Sequence, residues 1–188
     1  MQERTTKARI IAATANLLQA QGYHGTGLNE IVRTSSAPKG SLYFHFPGGK
    51  EELAEEALQS AGDAYSRLIE SAMDSGGDVS DAVCTVIGWL AASLRASEFS
   101  SGCPVATVAL DVASSSERLR VACRDIFVEW RALIERRLAA SGYDPARAAG
   151  LAMFVLASIE GALLFSRVER DTTPLETVGE QLKHILKR

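Results

Sequence analysis

The stretch from Gly25 to Lys50, GTGLNEIVRTSSAPKGSLYFHFPGGK, decides how this chain is read. It holds two short helical patterns with a break between them. The first covers Leu28 to about Ser35, with Leu28, Ile31, Val32 and Ser35 recurring on one face. Either Thr26 or Gly27 caps it, and Glu30 in its first turn suits the positive end of the helix dipole. Ser36-Ala37 makes the break. The second pattern runs from Pro38 to about His45, since proline fits a first helical position, where its absent N–H would be unpaired anyway. Pro47-Gly48-Gly49 then closes the pair. Two short helices joined by so tight a turn match a helix-turn-helix, whose second helix enters a major groove.

The facing of that second helix carries the chemistry. Leu42, with Pro38 and Phe46 four residues to either side, is expected to point inward, leaving Lys39, Gly40, Ser41, Tyr43 and His45 outside. Gly40 costs about 1 kcal/mol relative to alanine inside a helix. Close approach of the backbone to DNA would explain it. Lys39 has the reach for a guanine edge or a phosphate, and Ser41, Tyr43 and His45 can donate to phosphates. A solvated polar face is the other reading of the same residues. Lys50 stands in the first turn of the next helix, where a cation opposes the dipole unless an anion sits there, although Glu51 and Glu52 already satisfy it.

Outward from this stretch the helical period continues. The first helix is expected from about Thr5 to Gln21 on Ile10, Ile11, Ala15, Leu17 and Leu18, with Gly22 as its stop. A fourth runs from Lys50 to about Met73 on Ala54, Ala57, Leu58, Ala61, Tyr65, Leu68 and Ala72, ending in a turn at Ser75-Gly76-Gly77-Asp78. Val79, Val83, Val86, Ile87, Leu90 and Leu94 mark the fifth, broken by Ser100-Ser101-Gly102. Pro104 starts a short sixth, to about Ala113. Ser114 with Glu117 has capping-box spacing for the seventh, on Leu119, Cys123, Ile126, Phe127, Trp130, Ile134 and Leu138. Gly142, Asp144 and Pro145 give a stop, a cap and a first-turn proline for the eighth, to about Val168. Thr172 or Thr173 caps the ninth, on Leu175, Val178, Leu182 and Ile185. No alternating strand interrupts them, so the expected class is all-α with nine helices.

At 188 residues, 46% hydrophobic and 23% charged, the chain has the length for one or two globular domains. Its net charge of −3 is unevenly spread. Residues 1–50 hold six Lys and Arg against two acids, a balance of +4, and the remainder carries −7. A basic head on an acidic body suits a protein that presents one end to phosphates. The longest apolar run, Gly150 to Phe165, contains Ser158 and Glu160 and falls short of the roughly 20 residues of a membrane span. With no secretory signal at the start, a cytoplasmic protein without membrane contact is expected. Cys84, Cys103 and Cys123 are far apart and odd in number, which argues against a disulfide framework. Buried inert thiols and a redox-sensing Cys103 are the two readings.

Enzyme signatures are missing. His24, His45 and His184 are scattered, and the sequence contains no GxSxG, no HExxH, no metal-spaced Cys/His set and no glycine-rich phosphate loop behind a strand. Neither a cofactor nor a metal is expected. A helical interaction module without DNA binding is the remaining rival.

The segments Gly22 to Ile31, Ala37 to Phe46 and Gly49 to Leu53 together resemble the DNA-binding head of the TetR family of repressors in motif, order and spacing. The Ala37–Phe46 run, the Pro47-Gly48-Gly49-Lys50 ending and Gly102-Cys103-Pro104-Val105-Ala106 resemble its LmrA/YxaF-like branch. The resemblance implies a TetR-like fold: a helix-turn-helix domain over residues 1–49 and a ligand-binding and dimerisation domain over 50–188. It implies a homodimeric, effector-released repressor of palindromic double-stranded operator DNA. Thr26 then falls at a position that commonly meets the DNA backbone, Lys39, Gly40 and Ser41 on the groove-facing start of the recognition helix, and Tyr43, His45 and Lys50 at phosphate-contacting positions. Gly27 stands where a capping Thr or Ser is frequent, and Phe44 lacks the hydroxyl of the Tyr often found there. The implied effector cavity lies among the fifth to eighth helices, with Trp89, Phe99, Cys103, Val108, Phe127, Trp130, Phe154 and Glu160 as candidate lining. That mostly aromatic set suits a small, largely apolar effector. Core packing accounts equally for its apolar members, and Glu160 reads either as a salt bridge at the dimer seam or as a polar contact to ligand.

Overall fold

The first helix does not stop at Gly22. In the computed structural model, which describes residues 5–75 and 77–187, α1 spans Thr6–Gly25 and is broken internally at Gly22, whose φ of 72 and ψ of −175 leave helical space. The glycine interrupts the helix, and one more turn follows it. The charges of Glu3 and Arg4, and the Gly76 of the expected turn, lie outside the described residues. Thr5 caps α1 by accepting from the Ala8 N–H.

Eight further helices follow among the described residues: α2 (Leu28–Ser35), α3 (Lys39–His45), α4 (Gly49–Met73), α5 (Val79–Ala96), α6 (Pro104–Val112), α7 (Glu117–Ala140), α8 (Pro145–Glu169) and α9 (Thr173–Leu186). The all-α expectation holds. Two compact units share them, one formed by Met1–Asp63 with Cys103–Ile126 and the other by Ala64–Gly102 with Phe127–Arg188. Helices α4 and α7 each contribute one end to each unit.

In the first unit Ile10, Ile31, Ala37, Leu42, Phe46 and Leu53 form a closed apolar core, flanked by Ile11, Leu17, Leu28 and Val32. Helix α1 packs on α2, on α3 and along α6. Gly62 of α4 lies where a Cβ would come within 2.9 Å of Ile126 on α7, so the two helices touch almost backbone to side chain. Pro38 is exposed and Ala37 is buried in its place, because α3 begins at Lys39 and the proline stands one residue earlier, at its cap.

In the second unit α5 packs on α9 and α8 on α9. The expected faces of α5 and α7 are buried or half-buried. Two expected core positions are not. Leu68 of α4 and Ile185 of α9 are exposed, and Ile69, Met73, Gly179 and Leu186 take the inner positions. Leu68 and Ile185 stand ten residues after Leu58 and Leu175 and have rotated off the buried face, whereas Ile69 and Leu186, eleven residues on and about three full turns away, return to it.

The caps of α2 and α9 fall on expected residues, though without a side-chain bond, and that of α7 departs from expectation. Of the two expected residues Gly27 takes the cap of α2, and the Thr26 hydroxyl donates to the Gly22 carbonyl at 2.7 Å. Ser116 rather than Ser114 caps α7, its Oγ accepting from the Leu119 N–H at 3.1 Å. Thr172, one of the two expected residues, holds the cap position of α9 without a side-chain bond to the helix start, and Asp171 accepts from the Thr173 N–H. Asp144 caps α8 as expected. Two helices, α5 and α8, are long and apolar enough by length and composition to cross a membrane. Counting only the uninterrupted run from Gly150 understated α8, which continues over 25 residues.

Candidate nucleic-acid interface

The turn between α2 and α3 is built on Ser36, in the left-handed region at φ 51. Two carbonyls at the end of α2 would otherwise lack partners there. Arg9 of α1 supplies both: its Nε donates to the Ser35 carbonyl at 3.1 Å and its Nη2 to the Ser36 carbonyl. A planar guanidinium fits two neighbouring acceptors, which a lysine does not. Gln21 adds a second tie by donating to Glu30 at 2.8 Å and to the Gly25 carbonyl.

Held this way, α3 presents its outer face. Lys39 and Gly40 are exposed, Ser41 and His45 half-buried, and Tyr43 is 52% exposed. Phe44 is 80% exposed, the most open aromatic ring of the described chain. Leu42 and Phe46 anchor the opposite side in the core. The His45 ring stands edge-on between Phe44 and Phe46, at 5.1 and 6.3 Å between centroids.

Thr26 and Lys50 sit differently. Thr26 is fully buried, its hydroxyl committed to Gly22 and its N–H to the Tyr23 carbonyl at 3.2 Å. Lys50 is half-buried with Nζ 4.3 Å from the centre of the Tyr23 ring. Burial pushes its ammonium below the ordinary lysine range, and nearby Asp111 opposes that shift. The Tyr23 phenol moves upward, through burial and then Glu51. At the head of α4, Glu52 accepts from the Gly48 N–H at 2.7 Å, and the Ser116 hydroxyl bonds Glu51.

Sequence reasoning did not find Arg9 or Asp111. Asp111 of α6 accepts from the His24 N–H at 2.7 Å, directly where a Cβ on Gly22 would crowd it at 3.0 Å. These partners lie 26, 27 and 87 residues apart. The basic excess of the head is likewise partly spent inside the fold. Lys7 pairs with Glu56 at 2.8 Å, and Arg33 lies 3.5 Å from Glu30.

The candidate effector residues do not gather at one place. Phe127 and Trp130 do meet, edge to face at 5.6 Å, and Tyr65 stacks on Trp130 at 5.5 Å. Trp89 and Phe154 are exposed, while Phe99 is half-buried in the left-handed region. Val108 is fully buried. Cys103 is buried at the cap of α6, where its Sγ accepts from the Ala106 N–H at 3.4 Å. Glu160 is half-buried and engaged with another group of the chain. A cleft of about 460 Å³ between α5 and α9 is lined instead by Cys84, Ile87, Ala91, Arg95, Glu176 and Lys183, among others. Burial pushes the Cys123 thiol up to about 11 and raises Cys84 as well, which favours the thiol over the thiolate in both.

Residues 10–57 match the family model described as bacterial regulatory proteins, tetR family, and residues 80–181 match the C-terminal domain of LmrA/YxaF-like transcriptional regulators. The chain is 38% identical over 183 residues to the uncharacterized HTH-type transcriptional regulator YxaF of Bacillus subtilis, covering 97% of this chain and 96% of that one. It is 37% identical to the HTH-type transcriptional regulator LmrA of the same organism, covering 97% of each. A TetR transcriptional regulator from Legionella pneumophila has the same fold over the whole of both chains, with a TM-score of 0.91 at 23% identity.

Proposed function

The chain belongs to the TetR family of bacterial transcriptional regulators, in its LmrA/YxaF-like branch, and on that premise we propose a cytoplasmic repressor that grips a palindromic operator as a homodimer and is released by a small, mostly apolar effector. The observation that carries the reading is α3: a polar outer face of Lys39, Gly40, Ser41 and Tyr43 on a helix anchored by Leu42 and Phe46 and steadied through the Arg9-bound turn. His45 and Lys50 supply phosphate contacts in this proposal. Thr26, with no exposed surface, acts from behind by fixing the entry to α2. Residues 1–49 do the reading of DNA, and residues 50–188 hold the effector and the second protomer.

The dimer is supported by the outer face of α8, where Met153, Phe154, Leu164, Phe165 and Val168 are exposed. Such a set on one helix is more apolar surface than a soluble monomer ordinarily leaves in water. A dimer also places two recognition helices roughly 34–36 Å apart, or a multiple, to meet successive major grooves. The effector reading leans on the aromatic cluster of Tyr65, Phe127 and Trp130, with Trp89, Phe99, Cys103, Val108, Phe154 and Glu160 as further candidates. An electrophoretic shift with genomic fragments tests the core of the proposal. Specific retardation is expected, with Lys39→Ala relaxing base preference and Lys50→Ala weakening all duplexes alike and lowering the salt slope by about one unit. No specific retardation at low salt would end it.

A further inference from the structure

The proposed phosphate and base contacts leave Phe44 without a use. It is 80% exposed on the recognition helix, and its ring has no atom that donates to a phosphate or to a base edge. A long side chain on a helix leans toward the turn before it, over positions three and four residues earlier. For Phe44 those positions are Ser41 and Gly40. No atom lies within 4 Å of the place a Gly40 Cβ would occupy, so the backbone one turn before Phe44 lies open to an approaching group. The His45 ring, edge-on at 5.1 Å, flanks Phe44.

We propose that Phe44 and Gly40 form an apolar seat for the 5-methyl group of one thymine in each operator half-site. The methyl is the one apolar feature that a base pair displays in the major groove, and cytosine lacks it. The open backbone at Gly40 leaves room for that group, and the exposed Phe44 ring offers it apolar surface. This rests on the proposed DNA-binding role of α3, and adds to it the base that this face selects.

The test begins with a duplex that the wild-type protein selects from a randomised pool. Each thymine is then replaced singly by deoxyuridine, which removes the methyl and leaves every hydrogen-bonding group in place. One position per half-site is expected to weaken binding about fourfold, the worth of one buried methyl-sized group. At that position 5-methylcytosine is expected to bind better than cytosine. Phe44→Ala and Gly40→Ala, the second placing a methyl of its own on the open backbone, are each expected to abolish the deoxyuridine effect there and nowhere else. Both residues are exposed, so the variants keep the fold, which circular dichroism checks. Deoxyuridine without effect at every position, or an equal effect in wild type and both variants, overturns the seat while leaving DNA binding intact. Failure to select any duplex overturns the DNA-binding reading, and the seat with it.

Discussion

Glu98 and Phe99 follow the end of α5 in the left-handed region, at φ 50 and 61. The Glu98 N–H donates to the Arg95 carbonyl and the Phe99 N–H to the Leu94 carbonyl, the paired bonds of a helix end that normally takes glycine. A side chain there is strained, so Glu98→Gly is expected to stabilise by roughly 0.5–1 kcal/mol, net of the entropy that glycine adds to the unfolded chain. Calorimetry should show the melting midpoint rising about 1–4 °C, and a fall would mean that the Glu98 side chain contributes more than its backbone costs. Arg9 makes the opposite case. Arg9→Ala removes a charged donor from two carbonyls and is expected to cost about 1–2 kcal/mol in urea unfolding and to weaken DNA binding. Arg9→Lys keeps the charge and loses the fork, so it should recover little. Full recovery of DNA affinity by lysine would show Arg9 to be a phosphate contact instead. The sequence offered no sign of this role, because an arginine in the first helix looks the same whether it meets phosphate or backbone.

At the scale of elements, legibility followed punctuation. Helix α2 matches its expected limits of Leu28 and Ser35, and α8 its expected cap and proline, because each signal acts locally: glycine frees the backbone, aspartate accepts from the first N–H groups and proline fixes φ. Caps set among several polar residues were not legible: Ser114 and Ser116 are equally good acceptors in sequence, and only backbone geometry selects the second. Of the candidate site, Lys39, Ser41 and Tyr43 could be placed outside once Leu42 was placed inside. The effector residues could not be gathered, since apolar side chains in a core and in a cavity obey the same periodicity. Two glycines inside helices now separate by their surroundings. Gly40→Ala meets open space and should stabilise by about 1 kcal/mol through helix propensity alone. Gly62→Ala gains the same propensity but drives a methyl into Ile126, so overpacking of about 1–3 kcal/mol should leave it destabilised. Denaturant midpoints moving in the same direction for both variants would contradict the tight approach at Gly62.

For the whole molecule, the head's excess of +4 overstates the charge on offer to DNA, because Lys7, Arg9 and Arg33 contact acidic side chains or carbonyls of the protein. Assembly is the other property of this scale. Leu164 and Phe165 are exposed on α8, so the double change Leu164→Glu with Phe165→Glu should leave the helical signal intact. It should also turn a dimeric mass in light scattering into a monomeric one, and an unchanged dimer would place the interface elsewhere. The two compact units carry a consequence for anyone recombining such proteins. Because the unit that holds α1 to α3 also claims Cys103–Ile126, its residues are supplied by two separate stretches of the gene. A chimaera joined at residue 49 would inherit α1 from one parent and the Asp111 that meets its kink from another. A faithful exchange of DNA specificity takes three junctions, near residues 63, 102 and 126, and a library built on single crossovers would miss it.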